Sequence, residues 1–294
     1  MTQTTSPRPV VVGVDGSDAA LIAARFALDE ARRRAAPLRV VTVVPWPHDG
    51  LTTPPPRPDL PALFRQSGQA VAEAAVDTLA GAVGDVDVSI RVVDGHPVTV
   101  LREMSADAQL LVLGGRGVGG VAGLLLGSTA YRVVAQAGCP AIVLPDDSDV
   151  LVRDRRSVVV GVEGRSGDEE VLAFALAGAA ARGTDLLAVH AWQEVVLDAG
   201  LRTVSPLMDW AGVVADEERV LSEALAGWHD KEPDVVIREA VVRGRTARAL
   251  VAASMTAELL VVGHRAHRAP GSTTHGILQR ATCPVAAVPV AEQS

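Results

Sequence analysis

The residues best suited to chemistry lie between 114 and 129: Gly-Gly-Arg-Gly-Val-Gly-Gly-Val-Ala-Gly-Leu-Leu-Leu-Gly-Ser-Thr. A strand-like stretch, Ala108 to Leu113, precedes them, and a helical pattern begins at Ser128. Glycines let the backbone approach a ligand closely and adopt positive φ. The first amides of a helix lack intrahelical acceptors and sit at the positive end of its dipole. A phosphate group is held well there, and Ser128 and Thr129 add hydroxyl donors. Lysine is not required and is scarce: Lys231 is the only one in the chain. That excludes a Walker A loop, which needs Gly-Lys-Ser/Thr, and makes lysine-based covalent catalysis improbable. The loop also contains Gly115-x-Gly117-x-x-Gly120, a formal dinucleotide fingerprint. It is rejected because it does not occupy the first β-α turn of its unit. No acidic residue ends a second strand about 20 positions on either.

A second candidate is Asp15, which ends the β-branched run from Val10 to Val14 and precedes Gly16-Ser17. Ser17 or Asp18 is suited to cap the helix that follows. Without the glycine loop, Asp15 would read as no more than part of that cap.

These features occur twice. Val10-Val-Val-Gly-Val-Asp15-Gly-Ser17 returns as Val158-Val-Val-Gly-Val-Glu163-Gly-Arg165. Gly95 returns as Gly244, Gly114 as Gly263, Gly127-Ser128-Thr129 as Gly271-Ser272-Thr273, and Cys139-Pro140 as Cys283-Pro284. The period is that of a domain, not of a solenoid unit. Two domains are expected, 1–148 and 154–294, joined by a charged, turn-rich stretch between them.

Each copy alternates strands and helices. In the first, strands are expected at 9–14, 38–44, 86–93, 108–113 and 140–144, and helices at 18–36, 61–82, 97–105 and 128–136. Residues 45–60 carry prolines at 45, 47, 54, 55, 56 and 58 and read as a loop. Strands of the second copy are expected near 157–162, 185–191, 234–242, 258–262 and 284–289. Such alternation means β-α-β units in an α/β fold: two tandem doubly wound parallel sheets of five strands, with helices on both faces. Ligands of open α/β sheets bind beyond the carboxyl ends of the strands, where the strand order reverses. Asp15 ends one strand and Gly114 another, so neighbouring strands would bring both into one crevice.

Gly114, Gly117, Gly127 and Ser128 match the pattern Gly-x2-Gly-x9-Gly-Ser/Thr, and here the chain resembles the ATP-binding members of the universal stress protein family. Asp15 at the end of the first strand, Val92-x-x-Gly95-x-Pro97 and the Cys139-Pro140 strand start agree with it, in two copies across essentially the whole chain. The resemblance implies a Rossmann-like strand order 3-2-1-4-5 in each copy. It implies that Asp15 contacts the adenosine ribose or base edge, and that Val43 packs on adenine. Gly95, Leu113 and Gly114 would lie at the nucleotide, while Gly117, Gly127, Ser128 and Thr129 would hold the phosphates of ATP, with Mg²⁺. Thr42 stands where the family usually has a histidine. The resemblance also implies a regulatory role in stress or growth arrest, a pseudo-dimer of the two halves, a homodimer and a regulatory protein partner.

The second copy departs from the pattern. Glu163 replaces Asp15, Ala266 replaces Gly117, Thr246 replaces Pro97, and the phosphate loop is five residues shorter between Gly263 and Gly271. This half is expected to bind ATP weakly or not at all, though it keeps His190 at the strand-two position. His264, Arg265, His267 and Arg268 form a basic cluster that could still meet phosphate.

Composition excludes other classes. The net charge is −8, split evenly at −4 per half, so a general nucleic-acid surface is not expected. No apolar run spans a bilayer and no secretory leader is recognisable, which makes the cytoplasm the expected compartment. Cys139 and Cys283 read as small buried residues at strand starts, not as a disulfide framework. Histidines 48, 96, 190, 229, 264, 267 and 275 form no metal motif. No nucleophile–base constellation is evident, so a binding and regulatory module is favoured over a slow Mg²⁺-dependent ATPase or an ATP-independent interaction module.

Overall fold

The computed structural model describes residues 7–44, 60–117, 126–145, 157–165, 167–193, 210–265 and 271–291. The proline-rich loop, most of the first glycine loop, the linker, and Ala266, His267 and Arg268 lie outside these residues.

The chain falls into two compact units that divide between Arg153 and Asp154, except that residues 264–271 group with the first. The first unit runs β1 (Val10–Gly13), α1 (Asp18–Arg33), β2 (Leu38–Val44), α2 (Leu60–Asp77), β3 (Val88–Asp94), α3 (Pro97–Ser105), β4 (Leu110–Gly114), α4 (Ser128–Gln136) and β5 (Ala141–Leu144). Its strands lie in the order β3-β2-β1-β4-β5. The chain therefore starts at the centre, winds outward one way, and returns to wind the other. With right-handed crossovers this puts α1 and α2 on one face and α3 and α4 on the other. Contacts between α1 and α2, and between α3 and α4, agree with that division.

The second unit repeats the plan with β6 (Ser157–Val162), α5 (Asp168–Ala180), β7 (Asp185–Trp192), α6 (Trp210–Ala224), β8 (Ile237–Arg243), α7 (Thr246–Ser254), β9 (Ala257–Arg265), α8 (Ser272–Arg280) and β10 (Val285–Val290). Its order is β8-β7-β6-β9-β10. Central strands are apolar throughout, as strands covered on both faces must be. Val10, Val11, Val12, Leu110, Leu111 and Val112 are all fully buried, as are Val158, Val159 and Val160. The scarcity of aromatics is met by aliphatic packing: Ala23, Ala24, Ala27 and Ala31 bring α1 close against the sheet.

Some expected boundaries move. The helix expected over 61–82 stops at Asp77, where its hydrogen bonds tighten to i−3 turns, Leu79 N to Val76 O and Ala80 N to Asp77 O, before the chain passes through Gly81 at φ +84°. The strand expected from 108 begins at Leu110, and that expected from 234 begins at Ile237. The two cysteines are both buried, and neither is in a disulfide with the other. Burial pushes the Cys139 thiol up to about 12.

Candidate functional site

The strand order reverses between β1 and β4, which pair in parallel with Gly13 opposite Leu113. A cleft of about 400 Å³ opens beyond their carboxyl ends, within the size range of ligand pockets. Gly13, Val14 and Asp15 form one wall, and Leu113 and Gly114 the floor beside it. Val41 and Val43 line it from β2, with Pro97 and Leu101 from α3. Gly115, Arg116 and Gly117 from one end of the glycine loop, and Leu126, Gly127, Ser128 and Thr129 from the other, complete the lining.

The backbone explains this shape. Gly127 N donates to Gly115 O at 2.6 Å, tying the two ends of the glycine loop together at its base. Within α4 the ladder begins with Tyr131 N donating to Gly127 O, so the amides of Ser128, Thr129 and Ala130 have no intrahelical acceptor. Ser128 and Thr129 lie at the rim and are both exposed. Two glycines sit in close approach to other groups. A Cβ at Gly114 would lie 2.8 Å from the Ala19 carbonyl carbon, so any side chain there would push α1 off the sheet. A Cβ at Gly117 would collide with Asp15 Oδ2.

Asp15 is exposed, and its carboxylate is oriented by Ser17, whose amide and hydroxyl both donate to Oδ1, at 3.1 and 2.7 Å. Ser17 in turn caps α1 by accepting from Ala20 N at 3.2 Å. The same hydroxyl lies 3.5 Å from the carbonyl oxygen of Arg116, linking the β1–α1 turn to the glycine loop. The cap and the candidate ligand are thus one structure.

Of the residues expected at the site, Asp15, Val43, Leu113, Gly114, Gly117, Gly127, Ser128 and Thr129 all line this cleft. Gly95 does not. It sits at φ +146°, donating its amide to Val44 O at 3.0 Å, and turns the chain so that Pro97 starts α3 at the cleft. Its glycine is needed for backbone conformation. Arg116 is not among the expected residues because the motif leaves its position free, yet among the described residues it is the only cationic one lining the cleft. Thr42 points to the other face of the sheet, as period-2 alternation from Val41 and Val43 requires. It is 5% exposed, its methyl faces Gly68 on α2, and its hydroxyl has no hydrogen-bond partner among the described residues.

The sequence model of the universal stress protein family matches residues 7–145 and 154–289. The chain belongs to the universal stress protein family. It is similar over nearly its whole length to members of that family. The universal stress protein Rv2005c of Mycobacterium tuberculosis is 36% identical over 287 residues, covering 94% of this chain and 95% of the relative. Rv2623 of the same organism is 35% identical over 295 residues, covering 97% of each. Among solved structures, a universal stress protein from Archaeoglobus fulgidus superposes with a TM-score of 0.69 at 16% identity, covering 96% of both chains, which bears on the fold.

In the second copy of this tandem universal stress protein, the corresponding turn is built differently. The Asp168 carboxylate accepts from the amides of Gly164 at 2.7 Å, Arg165 at 3.0 Å and Glu163 at 3.3 Å. The Glu163 side chain is 68% exposed and lies 3.8 Å from Arg165 Nη1. His190 is buried, with Nδ1 2.9 Å from Val162 O and Nε2 2.9 Å from Glu217 Oε2.

Proposed function

We propose that this protein binds one ATP per chain, in the cleft of the first unit, and acts as a nucleotide-responsive regulatory protein in stress or growth arrest. The observation that carries the reading is the glycine cradle at the switch point, where helix amides without intrahelical acceptors meet Gly114, a close-approach glycine packed on the backbone of α1. The residues present fit the group: Asp15 and Val43 would meet the adenosine part, and Gly117, Gly127, Ser128 and Thr129 the phosphates. A Mg²⁺ ion would be held chiefly by phosphate oxygens and water, as is usual for this ion; no cluster of three or more His, Cys, Asp or Glu occurs among the described residues.

A binding role, not turnover, is favoured because the carboxylate lining the cleft is oriented by Ser17 and no histidine lines it among the described residues. Nucleotide occupancy would order the glycine loop and bias a surface for a protein partner. In the second unit, Asp168 already supplies an anion to three backbone amides, and Glu163 turns to solvent, which supports a single working site. The test is the nucleotide released on denaturing the purified protein, with ATP titration. About one ATP per chain, abolished by Gly127→Asp, supports the reading. Two per chain would overturn the single site, and none on titration would overturn ATP binding altogether.

A further inference from the structure

We infer that Arg116 is the residue through which this cleft recognises phosphate charge, its guanidinium contacting the phosphate chain of the bound nucleotide. The inference rests on the nucleotide reading and adds to it the determinant that separates a nucleotide from a bare nucleoside.

Among the described residues two ionisable side chains line the cleft, Asp15 and Arg116. Asp15 stands directly against Gly117, so a phosphate chain lying on the glycine cradle runs beside a carboxylate. Like charges in a partly enclosed site repel more strongly than in water. The other donors offered to phosphate by these residues are neutral: the amides of α4 and the hydroxyls of Ser128 and Thr129. Beside a bound Mg²⁺, the cation that the described lining itself offers is Arg116. The chain's single lysine does not serve, since Lys231 lies over the Trp228 ring at 3.5 Å from its centroid in the other unit.

The backbone fixes where the arginine starts. On one side, Gly115 O is held by Gly127 N at 2.6 Å. On the other, Gly117 is packed on Asp15. The Arg116 carbonyl itself meets Ser17 Oγ at 3.5 Å. The residue is half-buried on an arc pinned at both ends, between the carboxylate and the amides of α4. Guanidinium chemistry suits phosphate recognition. The group stays charged at all relevant pH and offers a planar fork that matches two phosphate oxygens at once.

The test is titration of the full chain, and of Arg116→Gln and Arg116→Lys, with adenosine, AMP and ATP by calorimetry at low and high salt. Arg116→Gln is expected to bind ATP about 10- to 100-fold more weakly, the range for losing charge-assisted hydrogen bonds, with adenosine affinity unchanged. Arg116→Lys recovers part of the loss, and the salt dependence of ATP binding flattens in Arg116→Gln. If Arg116→Gln binds ATP as tightly as the unaltered chain, the inference falls and the nucleotide reading stands. Equal losses for adenosine and ATP also overturn it, because they would mark a residue that only holds the loop in shape. If the unaltered chain binds none of the three, both readings fall.

Discussion

Gly117 and Gly127 are equal members of the phosphate-loop motif, yet the structure gives them unequal tolerance for a methyl group. At Gly117 a Cβ would collide with Asp15 Oδ2, so the carboxylate must swing away and give up its bonds from Ser17 N and Ser17 Oγ. These bonds are exposed, and each contributes about 0.5–1.5 kcal/mol. Gly117→Ala should therefore weaken ATP binding by about 1–2 kcal/mol, a factor of roughly 5–30. At Gly127 the nearest atom to a Cβ is Gly115 O at 3.2 Å and the next is 3.7 Å away. Its φ of −69° is open to any residue. Gly127→Ala should cost about 0.5 kcal/mol, chiefly through a poorer helix cap. The assay is calorimetric titration of ATP into each variant and into Asp15→Ala with and without Gly117→Ala. In the Asp15→Ala background the collision is gone, so adding Gly117→Ala should cost little, leaving a coupling of about 1–2 kcal/mol in the cycle. An undiminished Gly117→Ala effect in that background would refute the reasoning, as would a larger loss at Gly127 than at Gly117.

Thr42→Val should stabilise the first unit by about 1 kcal/mol, roughly 2–4 °C in Tm, because it removes a buried hydroxyl with no partner among the described residues while keeping the shape; a drop in Tm by calorimetry would contradict this. Cys139 is expected to resist thiol reagents in the folded protein at pH 8, since burial holds its thiol at about 12 instead of 9.0. Because the folded value is the higher one, the associated stability is intact below pH 9.0 and is lost as pH rises from there toward about 12, which unfolding across alkaline pH would reveal. Asp168→Ala should destabilise the second unit by about 1 kcal/mol by removing the acceptor shared by three exposed amides of the turn between β6 and α5. The ATP stoichiometry of that variant should stay unchanged.

Much of the fold is legible in the sequence because it depends on local signals. The repeat places the strands, and β-branched runs without polar interruption mark the ones buried on both faces. Spacing alone assembles Gly114, Gly117 and Gly127 on one loop, and Ser17 announces the cap. What escapes has a common cause: it depends on which side chain reaches a group distant in sequence. Glu163 aligns with Asp15, but the turn after β6 is organised by Asp168, four residues after Gly164, a substitution of function that alignment of equivalent positions cannot register. Gly95 sits in a motif with ligand residues yet serves a backbone turn. Arg116 occupies a position that the pattern leaves unspecified. Helix α2 ends early because its hydrogen bonds tighten from the i−4 to the i−3 pattern after Thr78, a change that no residue type at that point announces.

The buried contacts of β2 and β7 carry a consequence for how the two copies can exchange sequence. Thr42 faces Gly68 in the first copy, and His190 faces Glu217 in the second. Moving histidine alone into position 42 would bury a ring without its acceptor. Placing any side chain at Gly68 would drive a Cβ to 2.6 Å from Val44. Each strand residue is therefore viable only with its own helix partner, and the two lie about 26 residues apart in the chain. A crossover between the duplicated segments that falls inside this interval yields a mismatched pair and a weakened unit. Histidine and glutamate would have to move together for the buried pair of the second copy to be rebuilt in the first.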